Sequence, residues 1–289
     1  MPVTWLLSIL LILEPIVLDK PAYRIFDKSG TVVPYDTLMQ SLGEAEVVLF
    51  GELHNNALAH WLELQVAQDL YTRDSSLVLG MEMLEADNQL LLDEYLNGII
   101  KERHFKQEAK LWDNYPTDYQ PLVEFARTHQ LPVIATNVPR RYASLVSREG
   151  MTALDSLSPS AKQWIAPLPI EVDIELPGYQ NMLNMMGGAQ GHGGMSGENM
   201  VMAQATKDAT MAYFIQQNLP ENGTSLHISG SYHSDNFEGI YWYLKQALPD
   251  LSIKTISCVE QASLDSLGTE TKGVADFIIA IPSDMTKTY

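Results

Sequence analysis

The sequence predicts an α/β fold: a three-layer sandwich with a central, mainly parallel sheet and helices on both faces. Three observations carry that expectation. Short apolar runs alternate with helix-spaced segments along nearly the whole chain. Several of these runs, "VVLF" and "FIIAIP" among them, are continuously apolar, as strands covered on both sides must be. No repeat of fixed period interrupts the rhythm.

Taken in order, "YRIFD" and "TVVPY" flank a Lys28-Ser29-Gly30 turn and predict a small hairpin, with a short amphipathic helix over "DTLMQSL". "AEVVLFGE" reads as the first buried strand, and "ALAHWLELQVAQDLYTRD" places apolar residues at helical spacing. "SSLVLGMEML" is the second strand. "EADNQLLLDEYLNGII" and "YQPLVEFARTHQ" are helices, and "LPVIATNVP" is a third strand stopped by Pro139. "TSLHISGSYH", "SIKTISCV" and "DFIIAIP" complete the set. Residues 158–202, rich in Pro, Gly and Met, read as an excursion from the sheet ending in a flexible loop. The helix "ENMVMAQATKDATMAYFIQQN" brings the chain back, with Ser196 as its N-cap. Residues 21–289 therefore read as a single domain and residues 1–20 as an apolar N-terminal segment.

A hydrophobic content of 46% supports a large core, while 36 acidic against 18 basic residues leave a formal charge of −18. A surface so acidic repels phosphate backbones and argues against nucleic acid as a partner. It suits the capture of cations. The single cysteine, Cys258, excludes an intrachain disulfide and a Cys-rich zinc site. The apolar run from Trp5 to Leu13 is too short to span a bilayer. It has the length of a signal h-region but neither a basic flank nor a small-x-small cleavage site, and no lipobox cysteine follows. A degenerate export signal competes with a segment packed on the domain. Export is preferred, which places the protein in the periplasm or at a membrane.

In an open parallel α/β sheet, ligands bind beyond the carboxyl ends of the strands. Here those ends carry a consistent set of polar residues. The first strand ends in Gly51-Glu52-Leu53-His54 and the fourth in Gly230-Ser231-Tyr232-His233, a repeated G-x-x-H. Glu82 sits inside the apolar second strand, where an ionised carboxylate is costly unless paired or coordinating. Arg140 or Arg141 could be that partner. Asn137 ends the third strand and could equally cap the next helix. Asp208 lies four residues after Gln204, on the same helical face. Two imidazoles and two carboxylates converging there could bind a divalent metal, hold a large anionic cofactor or perform acid–base chemistry. His60 is a supporting residue of that site or a core residue beside Trp61; His104, His129 and His227 read as structural. The glycines could serve only a tight turn. In the excursion, Met182, Met185, Met186, His192 and Met195 suit copper(I) or haem iron, and Tyr179 lies close by. A surface loop packing on a neighbour explains the same residues.

The blocks "VVLFGELHNNALAHWLELQ", "LGMEMLEADNQLLLDEYLNG", "LWDNYPTDYQPLVEFARTHQLPVIATNVPRR", "AQATKDATMA" and "ISGSYH" occur in an order that resembles the ChaN-like haem-binding uptake family. That family belongs to the wider group of Tiki proteins and erythromycin esterases. The resemblance covers roughly residues 35–260. It implies a bacterial protein of iron acquisition that binds haem between two protomers, with an outer-membrane haem or iron uptake system as a further partner. A tyrosine would ligate the iron, and basic or imidazole groups would hold the propionates. Tyr179 is the first choice of ligand and Tyr232 the second, with His192, Met195 and Arg140 completing the haem set. The family's usual lipoprotein anchor is missing from the sequence. The wider group implies the alternative of a metal-dependent hydrolase of protease or esterase type. There His54, Glu82 and His233 would hold Mn²⁺, Zn²⁺ or Co²⁺ and lower the pKa of a bound water toward ~7. Glu52 would be the general base, Asn137 would steady an oxyanion, and His60, Asp208 and Met211 would support them.

Overall fold

The computed structural model describes residues 20–185 and 196–289. Seven strands form one sheet: β1 (Arg24–Asp27), β2 (Val47–Glu52), β3 (Leu77–Glu85), β4 (Val133–Asn137), β5 (Thr224–Gly230), β6 (Ile253–Gln261) and β7 (Phe277–Pro282). Their order across the sheet is β1-β7-β6-β2-β5-β3-β4. Every pairing is parallel except β1 with β7. The expected hairpin shrinks to a single bridge between Phe26 and Val32, supported by the Val33 N–H donating to the Ile25 carbonyl at 2.9 Å. Pro34 is the reason: it has no N–H to extend a ladder, and it already caps the helix α1 (Tyr35–Leu42). β1 takes its ladder from β7 instead.

Alternation along the strands feeds two cores. On β2, Val48 and Phe50 face the larger core with α1, α2 (Ala57–Arg73), α3 (Gln89–Leu96), α4 (Glu102–Glu108) and α5 (Gln120–His129). Val47 and Leu49 face the opposite side, packing with α9 (Gly197–Gln217) and α10 (Ile240–Ala247). Along that side α6 (Arg140–Glu149) packs on α9 through Val146 and Ala203. This is the three-layer sandwich that the apolar strands require. Asn56 starts α2 in the way its side chain allows, its Oδ1 accepting from the N–H groups of Leu58 and Ala59 at 3.1 and 3.3 Å.

Two boundaries differ from expectation. The second strand runs on to Glu85, so the next helix begins only at Gln89, after a 3₁₀ turn over Ala86–Asn88. Pairing of β3 with β4 resumes at Glu85 opposite Asn137 after an irregularity, which holds the extension in the sheet. The Pro/Gly/Met-rich excursion carries two short helices, α7 (Pro159–Lys162) and α8 (Pro177–Met185). Met186, His192 and Met195 lie outside the described residues.

Candidate functional site

Because β2, β5, β3 and β4 are adjacent and parallel, their carboxyl ends open at one edge of the sheet. A cavity of about 690 Å³ lies there, and His54, Glu82 and His233 all line it. Asn137, Gln204 and Tyr232 share the lining, and Arg140 and Lys207 bring positive charge.

The two G-x-x-H segments interlock, and the glycines are the reason they can. A Cβ on Gly51 would sit 2.8 Å from the Ser231 Cα; one on Gly230 would sit 2.8 Å from the His54 Nε2. Gly230 has φ −55°, open to any residue, so close approach rather than turn geometry demands glycine there. Each glycine clears space for the other motif.

His54 points its Nδ1 at the Glu52 Oε1, 2.5 Å away, and the Tyr119 hydroxyl donates to the same oxygen at 2.8 Å. The Trp112 ring meets the His54 ring edge-on, with centroids 4.9 Å apart. Burial opposes charge on Glu52, but hydrogen bonds from His54 and His60 outweigh it and hold the carboxyl well below the usual range. Burial likewise works against protonation of His54, and the Glu52 hydrogen bond overcomes it, raising the imidazole.

His233 is held from both sides. Its Nε2 donates to the Glu82 Oε1 at 3.1 Å, and its Nδ1 meets the Asp208 Oδ1. The Gln204 amide lies 3.0 Å from the same Nδ1, so the shared face of Gln204 and Asp208 does turn to the cavity. Burial disfavours the imidazolium, yet the two carboxylates lift its pKa to about 10. Glu82 is saturated in turn, its Oε2 accepting the Gly230 N–H at 2.8 Å. Its own burial penalty is outweighed by the His233 charge, and its pKa falls to about 2. The arginines are not its partners: Arg140 pairs with Glu85 and Arg141 with Asp87.

Behind His54, His60 is buried against Glu52 and Glu63. Its Nδ1 lies 3.0 Å from the Glu52 Oε2 and 3.3 Å from the Glu63 Oε1. Its Nε2 lies 3.1 Å from the His54 carbonyl oxygen. Among the described residues these three side chains are the group whose ligand atoms all fall within 4.8 Å of one another; His54, Glu82 and His233 share a cavity without forming such a group.

The other expected site residues are scattered. Tyr179 is 3% exposed and its hydroxyl donates to the Asp208 Oδ2 at 2.8 Å, so it braces His233 from behind rather than entering the cavity. Tyr232 is 41% exposed on the cavity wall and donates to the Gly178 carbonyl. Met211 belongs to the core between β2 and α9. His227 is buried beside the Thr136 Oγ1 at 2.8 Å, and burial pushes its pKa down to about 3. Met185 is exposed and Met182 packs near Tyr179. Sequence reasoning missed Trp112, Tyr119, Glu63, Asp118 and Lys207. Glu63 alone left a trace, three residues after His60 and so on its helical face.

The family model described as haem-binding uptake, Tiki superfamily, ChaN, matches residues 38–244. Comparison with curated proteins finds no match in sequence. Among solved structures, the cofacial haem complex of ChaN from Campylobacter jejuni superposes with TM-score 0.69 at 16% identity, covering 90% of this chain and 97% of that one. A succinoglycan biosynthesis protein aligns with TM-score 0.52 at 10% identity over 90% of this chain and 94% of its own. A protein from Bacillus cereus gives TM-score 0.50 at 10% identity over 85% and 90%. At such identities these structures share the fold.

Proposed function

We propose, for a chain that belongs to the haem-binding uptake family ChaN of the Tiki superfamily, that the strand-end cavity binds haem for iron acquisition. The observation that carries this reading is the make-up of the cavity. About 690 Å³ falls within the ~300–1,000 Å³ of ligand pockets. Trp112 and Tyr232 supply aromatic surface for a flat ring, and Arg140 and Lys207 supply cations for two carboxylates. An exposed phenol and an imidazole stand on its walls. Tyr232 would offer oxygen to the iron, His54 its Nε2, and Arg140 and Lys207 would hold the propionates. Haem, when bound, would supply an iron centre that such oxygen and nitrogen groups can ligate. Cofacial haem binding by the Campylobacter jejuni protein supports a pair of copies meeting over the cavity. Membership of an uptake family supports export. Among the described residues no helix is long and apolar enough to cross a membrane.

Titration of the purified chain with haemin tests the reading. A saturable Soret band is expected, shifted and weakened by Tyr232→Phe and retained in Tyr179→Phe. Absence of saturable uptake would remove the proposal.

One observation favours a second reading, hydrolysis. His54 engages Glu52 through Nδ1 and turns Nε2 toward Gly230 and the cavity, the arrangement of a carboxylate-oriented general base. Three donors already occupy Glu52, so the role of base passes to His54. Ester or peptide cleavage abolished by His54→Ala would support it; haem uptake without turnover would not.

A further inference from the structure

We propose that Glu52, His60 and Glu63 bind a divalent first-row cation, of the class of Zn²⁺ or Mn²⁺, beneath the floor of the strand-end cavity. The proposal is separate from haem binding and shares no ligand with the wall residues named for it.

The geometry is that of a nitrogen-and-oxygen site. The His60 Nδ1 stands 3.0 Å from the Glu52 Oε2 and 3.3 Å from the Glu63 Oε1. Bonds of ~2.0–2.1 Å to a tetrahedral ion place neighbouring donors about 3.3 Å apart. The two His60 distances already match that spacing, and all three donors lie within 4.8 Å of one another. Sulfur is missing from the set, which disfavours copper(I).

A second, independent feature points to a cation there. Glu52, His60 and Glu63 are 2%, 6% and 1% exposed, yet the Glu52 Oε2 and the Glu63 Oε1 meet no donor beyond the shared His60 Nδ1. Both nitrogens of His60 face acceptors only. Its Nε2 looks at the His54 carbonyl at 3.1 Å and the Asp118 Oδ2 at 3.4 Å. With one N–H given to that carbonyl, the ring sets Nδ1 between two carboxylates, and a cation would take the place of the proton it shares with them. A ligating histidine is oriented in the same way, by a carbonyl or carboxylate at its far nitrogen. Among the described residues no lysine or arginine pairs with Glu52, Glu63 or Asp118. Asn114 donates to Asp118 at 2.8 Å and Tyr119 to the remaining Glu52 oxygen, so the surrounding groups are in place. The ion would tie α2 to the end of β2 through the carboxylate that also orients His54.

The full-length chain, stripped with EDTA, is titrated with Zn²⁺, Mn²⁺ and, as a spectroscopic probe, Co²⁺, followed by desalting and elemental analysis. About one ion per chain should survive desalting. Co²⁺ should give visible d–d bands of a nitrogen/oxygen set, and the unfolding midpoint should rise on loading. Glu63→Gln and His60→Gln should abolish retention while Glu82→Gln and His233→Gln keep it. That contrast separates this site from one built on the cavity histidines. A wild-type chain that retains no ion and gives no Co²⁺ bands overturns the proposal even if the variants fail to fold. Retention that survives in folded Glu63→Gln overturns it too.

Discussion

Replacing Glu82 by Gln should uncouple His233 from the sheet, with a cost that depends on pH in a defined direction. In the folded chain His233 titrates at about 10 against 6.5 for a free imidazole. At ~1.4 kcal/mol per tenfold change, that gap bounds the proton's contribution at about 5 kcal/mol, shared between Glu82 and Asp208. The raised value means that the contribution is fully present below about 6.5 and fades as pH rises through about 10. Glutamine keeps an acceptor for the Gly230 N–H but removes one of two charges facing a fully buried imidazolium. Loss of one partner from a buried pair costs ~3–5 kcal/mol, and the retained acceptor puts the expected loss near ~3 kcal/mol. Glu82 itself titrates at about 2, so it is ionised throughout the neutral range. The loss should therefore be largest near neutrality and shrink toward about pH 10. Urea unfolding of both proteins across that range measures it. A difference below ~0.5 kcal/mol, or one flat with pH, would show that the His233–Glu82 contact carries no charge.

Other perturbations have equally direct readouts. Gly230→Ala should force the His54 ring aside, costing ~1–3 kcal/mol in urea unfolding and weakening haemin uptake; unchanged uptake would refute the close-approach argument. Tyr119→Phe should lower stability by ~1–2 kcal/mol, because the buried Glu52 carboxylate loses a donor at 2.8 Å, as calorimetry would show. Arg140→Gln should weaken haemin binding several-fold yet change stability by less than ~1 kcal/mol, since its pair with Glu85 is more than half exposed at the arginine. Tyr179→Phe should leave the Soret maximum in place while lowering thermal stability.

His54, Glu82 and His233 were legible in the sequence because each sits at or near the end of an apolar run, and a parallel sheet sends all such ends to one edge. The reason for G-x-x-H was not. Steric interlock between residues nearly 180 positions apart has no local signature, and the same glycines suit a turn. Arg140 was readable as a cation near the site, but its choice of Glu85 over Glu82 follows from β3 running one residue past the apolar run, on to Glu85. Tyr179 was placed beside the Met/Gly segment by sequence proximity; α8 folds it inward onto α9, where its hydroxyl finds Asp208. Asp118 and Tyr119 come from a π-helical turn before α5, a segment with no periodicity to announce it. The hairpin failed for a one-residue reason, the proline that ends it.

Both margins of the sheet are short and closed to strangers. β1 has four residues, with Thr31, Val32 and Val33 laid along its outer side, and β4 has five, bounded by Pro132 and Pro139. Among the described residues the outer side of β4 is also bonded by the Gln89 side chain, which donates to the Val133 carbonyl at 2.9 Å and accepts the Ala135 N–H at 2.7 Å, so little ladder is left for a neighbour to extend. Self-association has to proceed through side chains presented by helices and loops, and its strength will be set by shape and charge at that contact rather than by backbone pairing. The formal charge of −18 sets a repulsion between copies that any such contact must overcome.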